Sequence, residues 1–288
     1  MLDWAKKTYI MGILNLTPDS FSGDGLYAQD DPVQNSVDQA KEYVNSGADI
    51  LDLGAESSRP GSEPINAEEE LHRLLPVLKA IKSENLDVLI SIDTYKAEVA
   101  KTCLDNGADW INDIWGLQKD PKIANVAAEY DVPLVIMHNR SQLGAIKQDA
   151  RIGASYDAAA YKNFIDELIA DILTIIQTAL DSGVPESNLI VDPGIGFGKS
   201  VKQNLQIINC LDKIKALGYP VLIGPSNKSF IGNVLDLPVD QRTEGTAATV
   251  AIGIIRGADI VRVHNVKHMA RIAKMADMVI QCDCKEKK

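Results

Sequence analysis

Gly47-Ala-Asp-Ile-Leu-Asp-Leu-Gly-Ala55 is a phrase the chain uses three times, returning as Gly107-Ala-Asp-Trp-Ile-Asn-Asp-Ile114 and Gly257-Ala-Asp-Ile-Val-Arg-Val-His264. A glycine just past a helix end takes positive φ without steric penalty and turns the chain. Gly-Ala-Asp therefore reads as the join from a helix into a strand, and its recurrence as one βα unit used repeatedly. The run after each join is rich in Ile, Leu and Val with little polar alternation, the pattern of a strand buried on both faces of a parallel sheet. Similar runs occur at Tyr9–Leu16, Val88–Asp93, Leu134–His138, Leu189–Asp192 and Val221–Gly224. With Ile50–Ala55, Trp110–Ile114 and Ile260–His264 there are eight. Amphipathic stretches separate them. Phe164, Leu168, Ile172 and Ile175, broadened by Ile165, Ile169 and Ile176, mark one helical face. Asn66 ahead of Glu68, Glu69 and Glu70 marks the start of another helix, with a capping side chain and acidic residues suited to the helix dipole. Eight alternating units with no two-strand hairpin between them predict an α/β fold. The expected form is a single-domain TIM (β/α)8 barrel over residues 1–281, with an open doubly wound sheet as the rival. Residues 282–288 read as a loose tail.

The composition agrees with a large buried core. Of 288 residues, 45% are apolar and 24% charged, and the formal net charge is −11. That charge argues against a general nucleic-acid surface while leaving room for a locally basic pocket. The four cysteines, Cys103, Cys210, Cys282 and Cys284, are too scattered for a disulfide framework, and the lone C-x-C of Cys282 and Cys284 lacks the further ligands of a metal site. The start of the chain has no signal-peptide core, and no apolar run approaches the roughly 20 residues of a membrane span. A cytoplasmic protein is expected.

Polar residues gather where the predicted strands end. They are Asn15, the Glu56-Ser57-Ser58-Arg59 stretch, Asp93, Asn112 and Asp113, Met137-His138-Asn139, Asp192, Ser226 and Lys228, and Arg262 with His264. The C-terminal face of a (β/α)8 barrel carries the active site. Each residue alone is an ordinary loop residue; eight placements at one end form a pattern. Asp93 and Asp192 would be buried carboxylates in need of donors or cations, which a ring with an amidine-like N–H pair supplies. Asn112 offers a donor and an acceptor. Lys228 and Arg262 would balance the acids, as a functional pair or as structural ion pairs. Asn15, Thr17, Ser57, Ser58, Arg59 and His264 form a donor-rich, anion-binding group, with Arg59 held in a turn by Pro60-Gly61. Asp192-Pro-Gly-Ile-Gly-Phe-Gly-Lys-Ser200 looks like a phosphate loop but lacks the context of one, since Asp192-Pro193 intervenes between strand and glycines. Its glycines read as allowing backbone to approach a flat ring. No Gly-x-Ser-x-Gly elbow supports acyl chemistry through His138 and Cys103. Asn15 beside a diphosphate could hold Mg2+, which prefers few protein oxygens plus phosphate.

These residues spell out a family pattern. Met11-Gly-Ile-Leu-Asn-Leu-Thr-Pro-Asp-Ser-Phe-Ser-Gly-Asp-Gly25 and Asp52-Leu-Gly-Ala-Glu-Ser-Ser-Arg-Pro-Gly61 resemble the first two signatures of the dihydropteroate synthases. Ser91-Ile-Asp-Thr94, Ile111-Asn-Asp-Ile114, Met137-His138, Asp192-Pro-Gly-Ile-Gly-Phe-Gly198, Ser226-Asn-Lys-Ser229 and Arg262-Val-His264 follow in the family's order, from about Ile10 to about Val266. The resemblance implies condensation of a dihydropterin diphosphate with 4-aminobenzoate. The pterin would be held by Asp93, Asn112, Asp192 and Lys228, with Arg262 stacked on it and Met137 and Phe197 nearby. The diphosphate would be gripped by Asn15, Ser58, Arg59 and His264 with Mg2+ on Asn15. Pro60, Phe197, Lys228 and Ser229 would shape the 4-aminobenzoate pocket. Asp93, Asp192, Lys228 and Arg262 are the expected catalytic set, and a homodimer built on outer helices is implied. One departure stands out: Asn227 replaces the family's usual arginine, either as a tolerated loop change or as a change in affinity for 4-aminobenzoate and for the sulfonamides that mimic it. Three rivals remain: a methyltetrahydrofolate-binding methyltransferase on the same barrel, a catalytically silent pterin-binding paralogue, and a Schiff-base aldolase using Lys228.

Overall fold

The Gly-Ala-Asp joins behave as their chemistry dictates. Gly47, Gly107 and Gly257 have φ of +101°, +94° and +106° and turn the chain from helix to strand. The aspartate that follows hooks the preceding barrel strand. Asp49 Oδ2 accepts from Ile10 N at 3.0 Å, Asp109 Oδ2 from Ile90 N at 2.8 Å, and Asp259 Oδ2 from Val221 N at 2.7 Å. Each carboxylate also has a lysine partner, Lys7, Lys82 and Lys215 respectively. One device thus ties three pairs of neighbouring strands at the face where strands begin.

The computed structural model describes residues 2–4, 6–17, 31–57, 62–141, 146–149 and 152–282. Ten strands and ten α-helices are assigned among them. In chain order these are β1 Tyr9–Asn15, α1 Pro32–Asn45, β2 Ile50–Gly54, α2 Ala67–Ser83, β3 Leu89–Asp93, α3 Ala97–Asp105, β4 Trp110–Asp113, α4 Lys122–Tyr130 and β5 Leu134–Met137. Then come β6 Ile146–Asp149, β7 Gly153–Tyr156, α5 Phe164–Asp181, β8 Leu189–Asp192, α6 Val201–Asn209, α7 Leu211–Lys215, β9 Leu222–Ile223, α8 Ser229–Leu235, α9 Thr243–Ile255, β10 Ile260–Val263 and α10 Val266–Gln281. Eight strands form one parallel sheet in the order β8-β5-β4-β3-β2-β1-β10-β9. A parallel bridge between Val191 and Val221 joins its two ends. Neighbours in sequence are neighbours around the whole ring, so the sheet is a (β/α)8 barrel and not the open doubly wound rival.

One expectation is corrected. β6 and β7 form an antiparallel hairpin, Ile146 facing Tyr156 and Asp149 facing Gly153, between β5 and α5. It was not foreseen because Ile-Lys-Gln-Asp and Gly-Ala-Ser-Tyr carry no apolar run, and the hairpin forms a sheet of its own apart from the ring. The expected helices are present. Asn66 Oδ1 accepts from Glu69 N at 2.8 Å at the start of α2, and α5 buries Phe164, Ile165, Leu168, Ile172 and Ile176.

Successive strand residues face opposite ways. Tyr9, Met11, Ile50, Trp110, Val135, Ile190, Leu222 and Ile260 fill the inside of the ring, while their chain neighbours pack outward against helices. Trp4 closes the strand-start end from below, edge-on to Tyr9 at 5.7 Å and to Trp110 at 6.3 Å. The first and last elements meet at that end. Thr8 donates from both N and Oγ1 to Asp277 at 2.9 and 2.7 Å, and Gln281 Nε2 donates to Lys6 O at 3.3 Å. No helix among the described residues is long and apolar enough to cross a membrane.

Candidate active site

Two residues further along four of the inward-facing rows, the apolar filling gives way to polar groups: after Ile50 comes Asp52, after Trp110 Asn112, after Ile190 Asp192 and after Ile260 Arg262, while the row through Val135 stays apolar at Met137. Asn15 and Asp93 stand at the ends of β1 and β3, and Gly54 lies between them, its Cα paired to both. Of the polar side chains expected at strand C-terminal ends, Asp93, Asn112, Asp192 and Arg262 lie on the inward side of the ring, whereas His138 and Asp113 turn away, to Asp171 and to the Leu117 backbone.

Arg262 ties the centre together. Its Nε donates to Asp52 Oδ2 at 2.5 Å and its Nη2 to Asp93 Oδ2 at 2.6 Å. Asn112 Nδ2 donates to the same Asp52 oxygen at 3.0 Å. Burial pushes the Asp93 carboxyl up to about 7; Arg262 pulls it down, and the charges of Asp52, Glu70 and Asp113 push it up again. Arg262 keeps its charge because the two carboxylates outweigh its own burial. Asp52 was not picked out as a site residue from sequence. Its signal was a carboxylate at the inward position of an otherwise apolar strand, two residues before the rim.

On the other side of the mouth, Asp192 Oδ1 accepts from Gly194 N at 2.7 Å. Its pKa is raised by burial, against the pull of Lys228 and that hydrogen bond. Lys228 donates to Ile195 O and sits 4.4 Å from the centre of the Phe197 ring. Burial lowers Lys228 to about 8, with Asp192 opposing and Arg262 reinforcing the shift. Met137 is buried and faces inward. Ser229 opens α8, and His264 Nδ1 lies 2.9 Å from Ser226 Oγ, which links the end of β10 to the turn before α8. Ser58, Arg59 and Pro60 lie outside the described residues, as does most of the Thr17–Gly25 stretch.

The glycines of the loop after Asp192 have a packing task that their sequence did not reveal. Gly194, Gly196 and Gly198 all have positive φ, and a Cβ at each would meet protein atoms: His138 O at 1.9 Å, Lys228 Cδ at 2.7 Å and Ser141 N at 2.7 Å. These glycines let the loop pack against its own barrel. The nucleophile pair is excluded by geometry. His138 is the neighbour of inward-facing Met137 and turns outward, its Nε2 2.8 Å from Asp171 Oδ2 of α5. Cys103 is buried on α3, where desolvation lifts its thiol to about 12. No cluster of three or more His, Cys, Asp or Glu able to hold a metal occurs among the described residues.

Asn227 occupies a left-handed turn position, φ +54°. Its N donates to Thr246 Oγ1 at 3.1 Å, and its O accepts from Arg242 Nη1 at 2.9 Å. Asparagine is among the few side chains that tolerate this conformation. The local backbone gives a reason for the residue that needs no change in ligand.

The family profile of pterin-binding enzymes matches residues 11–264. A dihydropteroate synthase of Clostridium beijerinckii is 48% identical over 277 residues, 96% of each chain. The crystal structure of a dihydropteroate synthase from Clostridium difficile, determined in the presence of pteroic acid, superposes with a TM-score of 0.87 at 43% identity, covering 98% of this chain and 100% of that one. A Xanthomonas albilineans dihydropteroate synthase with 4-aminobenzoic acid gives a TM-score of 0.85 at 32% identity, covering 97% and 95%. Likeness of this extent in both sequence and fold places the chain in the pterin-binding enzyme family, among the dihydropteroate synthases.

Proposed function

We infer that the chain condenses (7,8-dihydropterin-6-yl)methyl diphosphate with 4-aminobenzoate in folate biosynthesis, giving 7,8-dihydropteroate and diphosphate. The observation that carries the reading is the Asp52–Arg262–Asp93 chain of hydrogen bonds at the barrel mouth, flanked by Asn112, Asp192 and Lys228. It supplies fixed acceptors and donors at the depth where a flat, amidine-bearing heterocycle fits.

The residues divide the work. Asp93 and Asp192 accept from the pterin N–H groups, Asn112 donates and accepts at its edge, and Lys228 donates to it; Arg262 stacks on the ring as a planar cation. Met137 and Phe197 give it apolar surface. As the methylene carbon–oxygen bond breaks, the two carboxylates stabilise the positive charge left on the pterin methylene. The amine of 4-aminobenzoate then forms the carbon–nitrogen bond and loses a proton, and Phe197, Lys228, Ser229 and Pro60 orient it. Asn15, Ser58, Arg59 and His264 hold the diphosphate. Magnesium on Asn15 would neutralise the departing diphosphate charge.

Apolar side chains exposed on α9 (Ile252, Ile255) and α10 (Met275, Met278, Val279) support a homodimer through these helices. A cytoplasmic setting suits the reaction. The test is incubation of the chain with dihydropterin diphosphate, 4-aminobenzoate and Mg2+, with mass detection of dihydropteroate and a count of diphosphate released. Product in equal amounts is expected. Methyl transfer from a methylated pterin would favour the methyltransferase rival, pterin binding without product the silent paralogue, and borohydride trapping on Lys228 the aldolase.

A further inference from the structure

Lys199 is a buried cation to which the reaction above gives no role. It ends the loop that begins at Asp192, and only 5% of it is exposed. Its Nζ donates to Gly194 O at 2.8 Å, Phe197 O at 3.0 Å and His138 O at 3.2 Å. An ammonium has three donors, and all three meet main-chain carbonyls. Among the described residues it makes no ion pair. Removing a charge from water is unfavourable unless its hydrogen bonds are replaced, so the carbonyl cradle is the condition for Lys199 being there at all. Burial pulls the group down to about 7, with Asp192 opposing and Lys228 reinforcing the shift.

The three carbonyls belong to two segments. His138 O lies just past the end of β5, and Gly194 O and Phe197 O lie on the loop after β8. The loop touches β5 so closely that a Cβ on Gly194 would lie 1.9 Å from His138 O and 3.0 Å from Lys199 Nζ. The same loop carries Phe197 and presents the Ile195 carbonyl to Lys228. It is braced from the other side by Asn204, whose Oδ1 accepts from Gly196 N at 2.7 Å and whose Nδ2 donates to Lys199 O at 3.2 Å.

We propose that Lys199 is a positioning residue for the reaction: its ammonium, seated among the carbonyls of His138, Gly194 and Phe197, sets the place of Asp192, Phe197 and Lys228 against β5. The inference rests on the dihydropteroate synthase reading, which gives those three side chains their tasks. A cation seated in carbonyl oxygens acts here as a fixed ion would, pulling two loops to one point. Displacements near 1 Å at reacting groups lower turnover by about 100-fold.

The test compares the full chain with Lys199→Met, which keeps length and loses charge, and with Lys199→Ala. Folded fraction is measured by circular dichroism, and kcat and KM for both substrates are expressed per folded molecule. Folded Lys199→Met should lose about 100-fold in kcat with a smaller change in KM, as for an interaction realised in the transition state. Methylammonium chloride should restore part of the kcat of Lys199→Ala saturably, while tetramethylammonium chloride at the same ionic strength should not. A folded Met variant with parental kcat overturns the proposal, as does equal recovery with both salts. Failure of both variants to fold in the cold also overturns it, assigning Lys199 to folding alone. A parent chain without turnover would sink the enzymatic reading itself, a result separate from parental kcat in the variants.

Discussion

Asp93 shares one guanidinium with Asp52, and that sharing sets how the mouth responds to pH. Its carboxyl is raised to about 7, so the charged form that accepts from a pterin is lost as pH falls through that value. We expect pterin affinity, measured by calorimetry, to weaken between pH 8 and pH 6, two arbitrary points about one unit either side of it. Asp52→Asn removes a charge that pushes Asp93 up, so the weakening should move to lower pH; an unmoved profile would dissociate the two acids. The sign for stability is opposite. A carboxyl raised above its unfolded value stabilises the fold at pH below the unfolded value, and that contribution fades as pH rises through about 7. At Asn227, arginine would have to take φ +54°, so Asn227→Arg should lose about 1 kcal/mol in chemical denaturation. Unchanged KM for 4-aminobenzoate and unchanged sulfonamide inhibition in that variant would retire an effect on ligand. The sequence showed Asp93 and Asp192 because each ends an apolar run, and Asn112 and Arg262 because each lies within two residues of its run's end near a second polar residue. Asp52 escaped because it sits deeper in its run with apolar neighbours on both sides, where only the inward-facing row reveals it.

At the scale of elements, the Gly-Ala-Asp join carries the most information in the chain. It was legible because it repeats, and its two halves have separate physics: the glycine turns, the aspartate hooks the neighbouring strand. Asp259 is the most consequential of the three. The N–H it accepts from belongs to Val221, the residue that bridges to Val191 and closes the ring. Asp259→Ala should cost about 1–3 kcal/mol by leaving that donor unmet. Since the change lies at the end of the barrel away from the mouth, kcat should stay at the parental value. Thermal unfolding followed beside turnover checks both halves, and a loss of kcat at full stability would contradict the assignment. The β6–β7 hairpin was illegible for the converse reason. Strands announce themselves through burial, and a hairpin outside the ring with Lys, Gln, Asp and Ser has little to announce. The glycines after Asp192 were noticed but their contacts were not, because a flexible loop and a tightly packed one use the same residue.

For the molecule as a whole, eight βα units foretold a barrel, but only the Val191–Val221 bridge distinguishes a closed ring from an open sheet. Association is the property least visible in a single chain, since an apolar residue on a helix reads as core until the fold shows it facing outward. Ile255 of α9 and Met278 of α10 are of that kind, both more than half exposed. Glutamate at both positions should convert a dimer into a monomer by light scattering without loss of fold; a parent already monomeric would remove the proposal. Finally, the pairing of Thr8 with Asp277 and of Lys6 with Gln281 brings the two ends of the fold together beneath the aromatic seal formed by Trp4. A tether to a surface, or a second protein fused through either end, would therefore hang from the underside, leaving the opposite opening free to exchange small molecules with solution.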